Sequence, residues 1–254
     1  MAYSGFDFSK QRVFVAGASG SIGRAIALAL SDAGAAVALH YFSNQNAVSD
    51  LSREIAERNA TSTVLVQADL QDREQANQAF NTAWEAFGGL DVLVIACGIA
   101  RDGPITFLSG GDLEKAIADN LDPVVHLCEA FCAKRRDVPG GRIVIVSSIT
   151  GLSGQPMRTL YGAAKGAVIG YAKSLARKVA SNGMTVNCIA PQVVKGGLAD
   201  HMKARMQGMI QAITPLQRLC EPDEVAAAAL FLASPGASYV TGSSLNITGG
   251  LITW

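Results

Sequence analysis

Charge is scarce in this chain, and neither sign is in excess. Lys+Arg and Asp+Glu number 21 each, and charged residues make up only 17%. Without a basic run, the chain lacks the electrostatic footprint that nucleic acid or an anionic membrane surface requires. Cysteine is also sparse and unpaired in pattern. Cys97, Cys128, Cys132, Cys188 and Cys220 form no C-x-x-C pair, and their count is odd. Cys128 and Cys132 share a helix face, but no His/Cys pair at metal spacing accompanies them. A disulfide framework and a zinc site are therefore not expected, and small core residues in a reducing cytosol are. No apolar run approaches the roughly 18 residues of a membrane span; the stretch 225–233 is too short. The opening residues show no charged-then-apolar signal pattern. The expectation is a soluble, cytoplasmic protein without a metal. Linkers, repeats and low-complexity stretches are missing too, so 1–254 reads as one domain.

The chain does have core. Hydrophobic residues make up 49% of its 254 positions, and its 26 glycines suit many tight strand–helix turns. Short β-branched runs alternate with helical stretches. Strands are predicted at 12–16, 36–41, 63–67, 92–96, 142–146, 185–189 and 244–247. Helices are predicted at 22–33, 47–59, 73–87, 111–118, 123–136, 160–180 and 223–233. Strict alternation predicts an α/β fold. It is a single-domain, doubly wound, Rossmann-like parallel sheet of about seven strands with helices on both faces. Ligands then bind at the carboxyl ends of the strands.

Two places carry chemistry. Tyr161 and Lys165 stand four apart on a predicted helix, so they share a face. A nearby cation favours the phenolate, which suits a general acid/base. Ser148 lies just after an apolar run, thirteen residues upstream. At the other end, the first strand runs into Ala16-Gly17-Ala18-Ser19-Gly20-Ser21-Ile22-Gly23, which opens a helix. Glycines there let the backbone approach a pyrophosphate at the helix N-terminus. An NAD site normally has an acid after the second strand, yet neither Asp nor Glu lies between Ala35 and Val48. This favours NADP(H) over NAD(H), with Ser43, Asn44 and His40 as candidates for the 2′-phosphate. Asp69 reads either as a partner of the adenine amino group or as a helix cap.

With these residues, and with Asn120 and Asn187-Cys188-Ile189-Ala190-Pro191, the chain resembles the short-chain dehydrogenase/reductase family over nearly its full length. It is most similar to the β-ketoacyl-[acyl-carrier-protein] reductases, also in the stretches 98–104 and 166–176. The resemblance implies four site residues. Tyr161 is the general acid, and Lys165 holds the nicotinamide ribose and supports Tyr161. Ser148 polarises the substrate carbonyl, and Asn120 holds a water that leads from Lys165 to solvent. It implies cofactor contacts at Gly17, Ser19, Gly20, Ser21, Ile22, Gly23, Tyr41, Ser43, Asn44, Asp69, Leu70, Gly98, Tyr161, Lys165, Pro191 and Val194. The implied activity is NADPH-dependent reduction of a β-ketoacyl thioester, acyl-carrier-protein or CoA linked, or of a related ketone. An NAD(H)-dependent alcohol dehydrogenase acting on a sugar, steroid or small alcohol remains open, as does a non-catalytic dinucleotide-binding subunit.

Several positions depart from the family pattern. Ala16 replaces a threonine and Ser21 the middle glycine; Ile95 and Ala96 replace asparagines. Gln192 replaces a glycine, and Gly196 a threonine that meets the nicotinamide carboxamide. Lys134, Arg135, Arg136, Arg177 and Lys178 are the basic candidates for a carrier-protein surface and also read as ordinary surface charge; Asn182 stands where arginine is frequent. Met202, Met206, Met209 and Ile210 fall in the segment 193–219, expected to be a mobile substrate lid. The same spacing also suits a helix packed on its own domain. Gly162, Gly166 and Gly170 form a small-residue stripe. With it, the resemblance implies a homotetramer, which the terminal Trp254 is expected to join by docking, unless that end is disordered.

Overall fold

The structure is a computed structural model that describes residues 5–100, 103, 105–197, 199–200 and 202–253. Residues 1–4, Arg101, Asp102, Pro104, Leu198, His201 and Trp254 are outside these. The expected tail docking, part of the 98–104 resemblance and two lid residues therefore lie outside the described residues.

Seven strands form one parallel sheet: β1 (Arg12–Ala16), β2 (Ala36–Tyr41), β3 (Thr63–Gln67), β4 (Val92–Ile95), β5 (Arg142–Val146), β6 (Thr185–Pro191) and β7 (Ser244–Ile247). Their order is β3-β2-β1-β4-β5-β6-β7. The helices between them are α1 (Ser21–Asp32), α2 (Gln45–Asn59), α3 (Arg73–Phe87), α4 (Gly110–Asn120), α5 (Asp122–Lys134), α6 (Thr150–Ser153), α7 (Thr159–Val179), α8 (Ala204–Ile213) and α9 (Pro222–Ala233).

Strand residues alternate between two cores, as a period of two dictates. Val13, Val15, Val37, Leu39, Val92 and Val94 face α1, α2 and α9. Phe14, Ala16, Ala38, Leu93 and Ile95 face α3, α5 and α7. Both faces exclude water, which is why the strands read as unbroken apolar runs. Each fully buried Val, Leu or Ile contributes about 1.5–3 kcal/mol.

Strand order reverses between β1 and β4, where Ala16 pairs with Ile95. The crevice outside those two carboxyl ends is where such sheets bind ligands.

The structure decides four local points. Helix α3 begins at Arg73, and its cap is Asp72, which accepts from the amides of Glu74 and Gln75. Asp69 is not that cap; its Oδ1 accepts from the Gln71 amide at 3.0 Å. The segment 193–219 carries α8, which matches the helix reading of its spacing. There Ile210 packs with Ala199, Leu219 and Met202, while Met206 and Met209 are exposed. Helix α6 was not anticipated. It explains part of the glycine stripe, since a Cβ on Gly162 would stand 3.3 Å from Thr150 and one on Gly166 would stand 3.4 Å from Gly151. Those two glycines admit α6 of the same chain, and only Gly170 faces open space. Finally, Arg135 is not a surface charge. It is buried, donates to the carbonyls of Leu90 and Gly140, and pairs with Asp91. Asn182 caps this arrangement by donating to the Arg135 carbonyl.

Candidate active site

Helix α7 brings Tyr161 and Lys165 to the crevice on its first turns. The Lys165 ammonium stands 5.7 Å from the centre of the Tyr161 ring. Lys165 is 3% exposed and donates to the Val146 carbonyl at the end of β5, at 3.3 Å. Burying an ammonium is costly unless it has hydrogen-bond partners, so this position is built to hold it.

Ser148 follows β5 by two residues and is buried. Its segment is stitched to α7 and β6. The Ser147 hydroxyl donates to the Lys165 carbonyl at 3.1 Å, and the Ile149 amide donates to the Pro191 carbonyl at 3.1 Å. A Cβ on Gly151 would meet the Lys165 backbone at 2.6 Å, so only glycine allows this approach. Gly151 carried no signal of its own in the sequence.

Asn120 ends α4 and is 1% exposed. Its amide donates to the carbonyls of Ile99 and Ala116 and accepts from the Ile99 amide. One amide bond thus clamps the loop after β4 at Ile99, and the other closes back onto Ala116 within α4. The Asn120 carbonyl oxygen lies beside Gly98. A Cβ on Gly98 would lie 2.7 Å from that oxygen and 2.8 Å from the Lys165 ammonium. Gly98 is therefore where Asn120 and Lys165 meet.

The glycine turn joins β1 to α1. A Cβ on Gly17 (φ +80°) would stand 2.9 Å from the Cys97 nitrogen, and one on Gly23 would stand 2.2 Å from the Gly17 carbonyl. Gly20 caps α1 without a side-chain bond. The first-turn amides of α1 thus remain free to meet an anion. Burial raises the Cys97 thiol pKa.

His40 holds the turn from below. Its Nδ1 accepts from the Gly17 amide at 3.1 Å, and its Nε2 lies 3.2 Å from the Ala68 carbonyl. Nε2 must therefore carry the hydrogen. Burial drives this imidazole's pKa down to about 4. His40 is accordingly a neutral strut between β1, β2 and β3, and not a receptor for a 2′-phosphate.

At the adenosine end, Ser43 is exposed. Asn44 caps α2 by accepting from the Ala47 amide. Tyr41 and Leu70 are buried. Arg24 of α1 forms an ion pair with Glu54 of α2. On the other side, Val194 is buried and bridges to Cys220. A void of about 90 Å³ behind this loop is lined by Gln192, Thr214 and Cys220 and lies away from the tetrad.

Two departures from the glycine pattern turn out to face each other. A Cβ on Gly196 would stand 2.8 Å from the Ser21 Cβ, and one on Gly197 would stand 3.2 Å from the Ser21 hydroxyl. Both glycines have positive φ, +79° and +53°. The side chain added at position 21 fills the space emptied at 196. Gln192 in turn donates to the Thr214 hydroxyl at 3.0 Å, which ties the loop after β6 to the end of α8.

The family model described as Enoyl-(Acyl carrier protein) reductase matches residues 17–252. The chain belongs to the short-chain dehydrogenase/reductase family. It is 34% identical over 246 residues to the "Nodulation protein G" of Rhizobium sp. (strain N33), covering 97% of this chain and 98% of that protein. It is 35% identical over 243 residues to a "3-oxoacyl-[acyl-carrier-protein] reductase" of Synechocystis sp., covering 95% and 97%. The crystal structure of a putative short-chain alcohol dehydrogenase from Sinorhizobium meliloti 1021 superposes with a TM-score of 0.91. Its sequence identity is 29%, and it covers 97% of this chain and 98% of that one. As a member, the chain is an oxidoreductase that works with a nicotinamide dinucleotide. The turn fits such a group: its backbone is bared by glycines, and the N-terminus of α1 is uncapped. Among the described residues no helix is long and apolar enough to cross a membrane, and no cluster could hold a metal ion.

Proposed function

We propose that the chain is an NADPH-dependent ketoreductase that converts the β-ketone of an acyl thioester, or a related ketone, to the alcohol. The observation that carries this reading is the buried Lys165 ammonium, beside the Tyr161 ring and against Gly98, with the Ser148 segment bonded to its own backbone carbonyl.

Gly17, Ser19, Gly20, Ser21, Ile22 and Gly23 would hold the pyrophosphate. Tyr41, Ser43, Asn44, Asp69 and Leu70 would line the adenosine. Gly98, Pro191 and Val194 would flank the nicotinamide, and Lys165 would hold its ribose. When bound, the reduced nicotinamide supplies the hydride. Ser148 donates a hydrogen bond to the carbonyl oxygen, where negative charge grows as the hydride arrives. Tyr161 gives its phenolic proton to that oxygen, and Lys165 stabilises the phenolate left behind. Asn120 keeps the Ile99 loop, and with it Gly98, in register. The exposed Met206 and Met209 of α8, with Ile213, offer an apolar lid suited to an acyl chain. An acyl carrier protein as thioester donor, a homotetramer and a cytoplasmic location complete the proposal.

One observation favours a second reading with NAD(H). His40 is locked and Arg24 is paired, so the expected 2′-phosphate loop offers only Ser43 and Asn44. Turnover of acetoacetyl thioesters, cyclic ketones and sugars with NADPH and with NADH decides both points. Preference for NADH, or for sugars over thioesters, would overturn the leading reading.

A further inference from the structure

Beyond the tetrad, a short chain of polar groups leads from Ser148 to the surface. The Ser148 hydroxyl lies 3.3 Å from the Thr150 hydroxyl and also accepts from the Thr150 amide at 3.2 Å. The Thr150 hydroxyl lies 3.2 Å from the side-chain carbonyl of Gln155. Thr150 is 5% exposed, whereas Gln155 is open to water. The turn that follows, closed by the Arg158 amide on the Gln155 carbonyl at 3.1 Å, sets Gln155 beside Thr150.

We infer that Thr150 and Gln155 are positioning residues that decide which way the Ser148 hydroxyl donates. The inference rests on the ketoreductase reading and deepens it. Each hydroxyl has one hydrogen. At rest the hydrogens run outward, from Ser148 to Thr150 to Gln155. In that state Ser148 has nothing to offer a ketone.

A carbonyl oxygen carries no hydrogen, so Ser148 must turn its own inward. The contact with Thr150 would then set lone pair against lone pair, unless Thr150 turns its hydrogen toward Ser148. The contact with Gln155 would do the same, unless the amide rotates to present its N–H. Gln155 permits that rotation because its outer end is solvated in either orientation. The chain then runs Gln155 to Thr150 to Ser148 to carbonyl. Ser148 accepts twice from Thr150 and becomes the stronger donor, since hydrogen bonds in a chain polarise one another. No bond to hydrogen breaks; two hydroxyls and one amide rotate.

Gln155→Glu tests this directly. A carboxylate only accepts, so it keeps the Thr150 hydrogen pointing outward. Gln155→Ala leaves Thr150 free to turn. The expected order of kcat is wild type, then Gln155→Ala, then Gln155→Glu, with the last roughly tenfold or more below wild type and NADPH affinity unchanged. Gln155→Glu should also gain rate as pH falls toward the carboxyl pKa, about 4.3 in its ordinary range, because the protonated acid donates again. Wild type and Gln155→Ala should lack that limb. Thr150→Val should lower kcat roughly tenfold, and Thr150→Ser should restore it. Gln155 is exposed, so both of its variants keep the question answerable if Thr150→Val fails to fold. A Gln155→Glu enzyme as fast as Gln155→Ala, or a folded Thr150→Val enzyme at the wild-type rate, would overturn the relay alone. A wild-type protein that reduces no ketone would overturn the reading and the relay together.

Discussion

One methyl group added at Gly98 should disable the site without replacing any of its four residues. The Cβ of Gly98→Ala would stand 2.7 Å from the Asn120 carbonyl oxygen and 2.8 Å from the Lys165 ammonium. Asn120 is the stiffer neighbour, held by bonds of 2.9, 3.0 and 3.2 Å. Lys165 must therefore give way, by about half an ångström to reach ordinary contact. Its bond to the Val146 carbonyl, at 3.3 Å, is already long. Weakening a charged hydrogen bond costs about 1.5–3 kcal/mol, and overpacking adds about 1–3 kcal/mol. Some of this is relieved by relaxation, which leaves a net cost of about 2 kcal/mol. In the transition state that corresponds to roughly 30-fold in turnover. In stability it corresponds to a fall of about 4–8 °C in Tm for a domain of this size. Steady-state kinetics with NADPH and a thioester ketone, with a thermal melt alongside, read both. A Gly98→Ala protein with wild-type kcat and Tm would refute the claim that Lys165 and Asn120 meet at this glycine.

Further outcomes follow from the same geometry. Tyr161→Phe should bind NADPH normally and lose at least ~100-fold in kcat, the scale of general acid catalysis; retained turnover would remove Tyr161 from the mechanism. Gly196→Ala should weaken NADPH binding more in the wild type than in a Ser21→Gly background. The clash is shared, and strict additivity within ~0.5 kcal/mol would disprove the contact. His40 is neutral in the fold at a pKa of about 4, against 6.5 when unfolded. The unfolded chain then binds the proton first as pH falls. Stability should drop by up to about 3 kcal/mol between roughly pH 6.5 and 4, and urea unfolding of His40→Gln should lack that drop. Gly170→Ala on the exposed face of α7 should raise stability by about 1 kcal/mol in a lone chain. A fall in Tm together with a smaller particle in sedimentation would instead locate a subunit contact there.

Much of the fold was legible because two-sided burial writes each strand as an apolar run. β1, β2, β3, β5 and β7 begin and end where their runs do. Helix α6 was hidden because four residues hold no period. Helix α8 was left open because its methionines fit a lid and a packed helix equally well. Asp69 stayed open between two roles because Asp72, three residues on, has the same chemistry and only the backbone chooses which of them caps α3. Tyr161 and Lys165 could be paired on sight, since one helical turn fixes their relation. His40 misled, because a histidine beside a phosphate loop looks like a ligand until its two nitrogens are traced to Gly17 and Ala68.

By itself the sequence determined the local matters: the parallel sheet, the dinucleotide turn and the phenol–ammonium pair. Each follows from spacing along one element. Tertiary structure alone decided that Gly98 lies between Asn120 and Lys165, that Ser21 fills the space left at Gly196, and that Ser148 is wired to Gln155 through Thr150. These are contacts between atoms brought together by packing of separate elements or by a turn. Their ångström-scale distances have no signature in residue order.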